Sequence, residues 1–356
     1  MCNNMYMSKL NDFYQNTLDN ILPIGSYVRL LPYDLVFKAT HWCWYNCPHC
    51  CESAGKNRDK TFIPESVIKY YIDAAKQDPQ FTNEVVITGG ELMSAYNLMS
   101  PEYVPNLVNY VLDKKISLDI KTNGAWVNAP LLRGRIFNDL RNLANNHNPL
   151  GFQISLSLDK YHPNALENNY EILKNLAQDK YIKIPMLIHI SGFDADKHMY
   201  QTLITKLKHT PKIKIDEVGV LSTSGSLIKM IRLNKHVCVR YSTAPCPFAN
   251  GRAKYLPEAA PVELPQFSFI AGTQQNPSVL VAFDAAGNVT LGENSGKKIS
   301  VPWRDKNGNP RPLPAIKADL VKQTRIENFK LIHHETIKSM KNDFINKMNK
   351  IGIKIR

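Results

Sequence analysis

Leu35-Val36-Phe37-Lys38-Ala39-Thr40-His41-Trp42-Cys43-Trp44-Tyr45-Asn46-Cys47-Pro48-His49-Cys50 is an apolar run that passes into three cysteines spaced C-x3-C-x2-C. The run is short and largely apolar, the pattern of a buried strand. The cysteines then occupy one tight loop at its C-terminal end. Three thiolates so placed can hold three irons of a cubane cluster and leave the fourth iron open. The alternative is zinc, with His49 or Cys51 as a fourth donor. A zinc hairpin usually brings a second ligand pair at matching spacing, and none lies nearby.

Outward from this stretch, short apolar runs alternate with amphipathic segments. After 35–40 come runs at 84–88, 116–122, 151–158, 182–190 and 213–221. Between them, 64–76, 101–114, 131–146, 165–179 and 196–209 place apolar residues at helical spacing, the first opening on Pro64. Strand-then-helix alternation predicts an α/β fold with a parallel sheet and helices outside it. Right-handed connections would let that sheet wind into an open or a closed barrel. From about Gly225 the rhythm breaks, with prolines at Pro245, Pro247, Pro257, Pro261 and Pro265. A hairpin is expected over 279–290, turning at Asp284 to Asn288. A loop over 302–314, turning at Asn307-Gly308-Asn309-Pro310, precedes a long helix from Ile316. The expected organisation is a lead-in at 1–33, a core at 34–224 and an irregular α+β extension at 225–356.

The chain has 356 residues and a net charge of +13. Lys317 to Arg356 carry ten Lys or Arg against four Asp or Glu. This basic tail reads first as a solvated helix; a polyanion surface is the weaker reading, since no recognised nucleic-acid motif accompanies it. The first twenty residues lack a signal-peptide core, and no apolar stretch is long enough to cross a bilayer. The expectation is a cytoplasmic protein with no membrane partner, whose seven cysteines are ligands or free thiols.

Polar signatures fall at the ends of successive runs: the cysteine loop, then Thr88-Gly89-Gly90-Glu91, then Lys121-Thr122-Asn123-Gly124, then Ser155-Leu156-Ser157-Leu158-Asp159. In parallel α/β folds the C-terminal strand ends face one shared site, so these four would converge. The cysteine loop after one strand and Gly-Gly-Glu after the next resemble the radical S-adenosylmethionine (radical SAM) superfamily. His49, before the third cysteine, occupies that family's aromatic position. The resemblance covers about 34–222 and implies a partial (β/α)6 TIM-like barrel. It implies one [4Fe-4S] cluster on Cys43, Cys47 and Cys50, with SAM chelating the open iron. Reductive cleavage of SAM would then yield a 5′-deoxyadenosyl radical for hydrogen abstraction, the electron coming from a flavodoxin- or ferredoxin-like reductant. His49, Gly89, Gly90, Glu91, Asn123, Ser157 and Asp159 would form the SAM shell; no residue is assigned a catalytic role.

Plainer roles exist for each. Gly89-Gly90 and Asn123-Gly124 are ordinary turn pairs, and Glu91 could be the acid of a helix's first turn. Asp159 could cap a loop, Ser157 could be a satisfied strand hydroxyl, and Tyr161 and His162 could pack a loop. Cys51 is expected to point away from the ligands, and Cys2 looks incidental. The C-terminal region loosely resembles SPASM or twitch extensions at Gly251-Arg252-Ala253 and at Phe283-Asp284-Ala285-Ala286-Gly287-Asn288-Val289. No cysteine follows Cys246, and Cys238 with Cys246 are too few for a second cubane, so one cluster is expected. They read as buried thiols, with a thiol relay as the alternative. The extension leans toward a peptide, protein or natural-product precursor as substrate. RNA modification, motivated by the tail, and a non-catalytic zinc-stabilised binding module are the competing functions.

Overall fold

The computed structural model describes residues 32–143, 151–223, 226–244, 251–257, 270–272, 277–291 and 300–323. The lead-in at 1–31, Cys2, Cys246, Pro245, Pro247, Pro261, Pro265 and the tail beyond 323 lie outside them. No helix among the described residues is long and apolar enough to cross a membrane.

Strand β1 (Tyr33–Lys38) is buried along its whole length. Its alternate residues serve two faces. Tyr33, Leu35 and Phe37 join the main core, whereas Val36 packs with Val86 and Ala282 in a separate cluster on the opposite face. Four more expected strands follow: β2 (Phe81–Thr88), β3 (Ser117–Thr122), β4 (Phe152–Ser157) and β5 (Met186–Phe193). Each pairs in parallel with its predecessor. The expected helices are α1 (Glu65–Lys76), α2 (Tyr103–Asp113), α3 (Pro130–Leu143), α4 (Ala165–Gln178) and α5 (Lys197–Lys208). Their apolar stripes, such as Val67, Ile68, Tyr71 and Ile72 on α1, bury against the sheet in the main core. The run from Ile182 becomes a strand only at Met186. Pro185 offers no amide to the ladder, although Ile182 and Ile184 are buried ahead of it.

The sixth alternation differs from expectation. The 213–221 run forms strand β6 (Asp216–Thr223), but it does not neighbour β5. β6 ends at Thr223 and β7 (Ser226–Arg232) begins at Ser226, a connection too short for a parallel crossover, so the two pair antiparallel. β7 pairs antiparallel with β8 (Val237–Ala244), and β8 takes the place beside β5, in parallel. At the other side, β10 (Pro277–Asp284) lies parallel to β1, from Tyr33 opposite Val279 to Lys38 opposite Asp284. With β11 (Asn288–Leu291) and β12 (Ser300–Pro302) beyond β10, the result is an open, parallel-rich sheet ordered β12-β11-β10-β1-β2-β3-β4-β5-β8-β7-β6, a partial TIM-like barrel.

The expected hairpin is present. β10 turns into β11 (Asn288–Leu291), with Asn288 N donating to Asp284 Oδ1 at 2.8 Å and Gly287 at φ +100. β9 (Ile270–Gly272) and β12 (Ser300–Pro302) complete an antiparallel margin, and residues 313–323 are helical. This margin is part of the core. Phe283 stacks on Phe37 with ring centroids 5.3 Å apart and meets Tyr71 at 4.3 Å. The Tyr71 hydroxyl donates to the Trp303 carbonyl at 2.9 Å. Phe283→Ala is therefore expected to cost about 3–5 kcal/mol of global stability, read as a lower midpoint in urea denaturation. A change confined to the C-terminal segment would mean that it folds apart from the barrel.

Candidate functional site

β1, β2, β3 and β4 end on one side, and the four polar signatures meet there. A cavity of about 230 Å³ is lined by Cys43, Cys47, His49, Cys50, Gly89, Gly90, Asn123 and Ser157, among others. Cys51 also borders it, with its thiol 3.9 Å from Glu52 Oε1. Glu91 and Asp159 do not border it; they lie behind it, 0% and 3% exposed.

The cysteine loop is shaped by its own backbone. Thr40 Oγ1 accepts from Trp42 N at 3.0 Å, and the loop doubles back where Gly55 N donates to His41 O and Cys43 N to Gly55 O. The loop after β2 then lies against it. Gly90 N donates to Thr40 O at 2.6 Å and Glu91 N to Trp42 O at 2.9 Å. A Cβ at Gly90 would fall 2.0 Å from the Trp42 carbonyl oxygen, and one at Gly89, whose φ is +131, 2.5 Å from that of Thr40. These glycines allow backbone to touch backbone.

Glu91 ties the next strand end to this contact. Its carboxylate accepts from Met93 N at 3.0 Å, Thr122 Oγ1 at 2.7 Å and Asn123 N at 2.9 Å. Burial pushes its pKa up, and these three donors oppose that shift. Asn123, so placed, donates from Nδ2 to Cys43 Sγ at 3.4 Å, and Tyr45 N donates to the same sulfur at 3.4 Å. Burial, then the charge of Glu91, pushes the Cys43 thiol up to about 12.

The loop after β4 closes the far side. Asp159 Oδ1 accepts from Tyr161 N and His162 N, and Oδ2 lies 2.8 Å from His162 Nδ1. His162 in turn hydrogen-bonds Cys47 and borders the cavity. Burial pulls its pKa down, but the bonds to Asp159 and Cys47 outweigh this and raise it to about 10. His49 stacks on Tyr161 at 4.8 Å, and its buried Nδ1 has no partner among the described residues. Burial, with repulsion from His162 and Arg252, brings its pKa down to about 4 despite Asp159.

Two contributors were missed by sequence reasoning. Arg252 donates from Nε to Cys47 O at 2.9 Å and from Nη2 to Ala54 O at 2.6 Å, while its amide reaches Cys50 O at 3.0 Å. Only its membership of a family-like tripeptide marked it. Lys38 pairs with Glu52 at 2.6 Å beside the cavity; a lysine inside an apolar strand was its signal.

The donor set suits a soft metal centre. Cys43, Cys47 and Cys50 share the cavity, and the amide donors at Cys43 Sγ match a sulfur that carries negative charge when ligated. Cys47, His49 and His162 also bring three donor atoms within 4.8 Å of one another.

No family model matches the chain, and no curated protein does. Among solved structures it is similar to Streptococcus suis SuiB bound to S-adenosylmethionine, with TM-score 0.37 and 11% identity over 80% of this chain and 69% of that one. It is similar also to SuiB bound to precursor peptide SuiA, with TM-score 0.37 and 13% identity over 77% of this chain. In that second comparison the chain spans 63% of the other's length.

Gly90→Ala is expected to cost at least about 1–3 kcal/mol, because the clash is with backbone that cannot rotate away. Gly134→Ala, with nothing within 4 Å of the new methyl group, is the control and should be neutral or stabilising. Urea denaturation of both variants checks the contrast.

Proposed function

We propose that the chain is a radical SAM enzyme. The observation that carries this reading is the convergence of the C-x3-C-x2-C loop, Gly89-Gly90 and the β3 and β4 ends on one cavity. Bound there, a [4Fe-4S] cluster and SAM supply a 5′-deoxyadenosyl radical able to abstract hydrogen from a substrate. Cys43, Cys47 and Cys50 hold the cluster. Asn123 and the Tyr45 amide orient Cys43, and Arg252 holds the loop carbonyls of Cys47 and Ala54. Gly89, Gly90, Asn123, Ser157 and His49 face the room left for SAM. Glu91 and Asp159 act from behind, Glu91 by setting Asn123 and Asp159 by setting His162. The substrate is a peptide, protein or related precursor, a reading that rests on the resemblance of 251–253 and 283–289 to SPASM-type extensions. A flavodoxin- or ferredoxin-like protein delivers the electron. The domain plan is a core at 34–224 and an extension at 225–356 whose strands β8 and β10 complete the same sheet.

A second reading has its own observation: Cys47, His49 and His162 could hold zinc in a non-catalytic module. That arrangement leaves Cys43 and Cys50 without a ligand role.

Anaerobic reconstitution with iron and sulfide, reduction and incubation with SAM tests the first reading. The expected outcome is about four irons per chain and release of 5′-deoxyadenosine, both lost in Cys43→Ala. A chain that retains zinc, takes up no iron and leaves SAM intact would establish the second reading instead.

A further inference from the structure

The concave face of the sheet carries chemistry that the cysteine cavity leaves unused. Strand register aligns Lys38 with Thr88, Lys121 with Ser155, Ser155 with His189 and His189 with Arg240. Ile87 pairs with Ile120, so Thr88 and Lys121 are the next step of that ladder. One row thus crosses β1, β2, β3, β4, β5 and β8. Side chains confirm the shared face. Ser155 donates to Asp119 at 2.7 Å and lies 3.5 Å from His189 Nδ1, while His189 Nε2 lies 2.7 Å from Ser242 Oγ.

The β8 end of this row is electropositive. Burial, then repulsion from Arg240 and Lys121, brings the His189 pKa down to about 3, so the ring is neutral. Of the acids on this face, Glu84 has its pKa raised by burial and by Asp34 and Asp119, while the charges of Arg240 and Lys121 oppose that shift. Asp119 is engaged by Ser155. Among the described residues the Arg240 guanidinium hydrogen-bonds only the neutral amide oxygen of Gln153, at 3.3 Å. Glu84 attracts this half-buried guanidinium, yet the buried Nε keeps no acceptor among the described residues, and a planar fork with a donor to spare matches a carboxylate.

We propose that Arg240, assisted by Lys121 and His189, forms a carboxylate-binding subsite on the inner face of the sheet. Lys38, Thr88 and Lys121 border the cysteine cavity, so the row joins the two sites. β8 lies three strands from β3, roughly 14 Å at the usual strand spacing, or about four residues of extended peptide. A side-chain or terminal carboxylate anchored at Arg240 would leave the neighbouring residues under the cavity. Assigning that carboxylate to the substrate rests on the function proposed above; the subsite itself does not.

Ligand-detected NMR titration of the purified full-length chain, without SAM, tests the subsite. The probes are N-acetylglutamate α-methylamide, with a side-chain carboxylate, N-acetylglutamine, with a terminal one, and neutral N-acetylglutamine methylamide. At least one carboxylate probe should bind saturably, about tenfold or more tightly than the neutral probe. Whichever binds identifies the source. Arg240→Gln should abolish the preference. Arg240→Lys, which keeps the charge but loses the fork, should retain part of it, and exposed Lys306→Gln should keep all of it. Circular dichroism confirms that each variant is folded. Equal binding of the three probes, no saturable binding, or wild-type preference in Arg240→Gln overturns the subsite. Preference retained in a chain that cannot cleave SAM leaves the subsite standing and removes the radical SAM reading; the converse removes only the subsite.

Discussion

The close approach of the loop after β2 to the backbone of Thr40–Trp42 is the constraint on which the site depends. Two short amide bonds, from Gly90 and Glu91, join the exits of β1 and β2. They are possible only because no side chain stands at residues 89 and 90. The contact also fixes where Glu91 projects. A buried carboxylate is tolerated only when its oxygens are supplied with donors, and Met93, Thr122 and Asn123 supply them. Three of those atoms belong to backbone or to a hydroxyl at a strand end. The carboxylate therefore acts as a brace between β2 and β3 and sets Asn123 against Cys43.

A second brace comes from far along the chain. Arg252 follows β8, the strand that closes onto β5, and its guanidinium spans the carbonyls of Cys47 and Ala54. The segments that follow β1 and β8 thus meet at the cysteine loop. Coupling of this kind makes the loop's shape a property of the whole fold. Phe283, Tyr71 and Trp303 extend the same logic to the C-terminal hairpin, which lines up against β1, the strand that launches the cysteines.

Much of this was legible in local pattern. The five helices and the first five strands follow from apolar periodicity, because each buries one stripe or two faces. Partner choice was not legible for the remaining strands. The 213–221 run looks like any sixth parallel strand; only the short step from Thr223 to Ser226 reveals an antiparallel hairpin, and nothing local says that β8 will occupy the place beside β5. The strand-end motifs found the cavity, but not which groups face it. Glu91 and Asp159 read as ligand-binding acids, yet both spend their oxygens on nearby amides, hydroxyls or His162. Arg252 lies some two hundred residues from its partners, a separation no local pattern spans.

The inner face shows what strand alternation means when one face of the sheet is polar. Along β4 and β5 the outward residues Ile154, Leu156, Ile188 and Ile190 are buried hydrocarbon, whereas Gln153, Ser155, Ser157, His189 and Ser191 alternate with them. A sheet packed on both sides would carry apolar residues at both sets of positions. Polar groups in that second set cost stability unless they are hydrogen-bonded or face water or a ligand. The network through Ser155, His189 and Ser242 satisfies part of the set, and Arg240 Nε is left over.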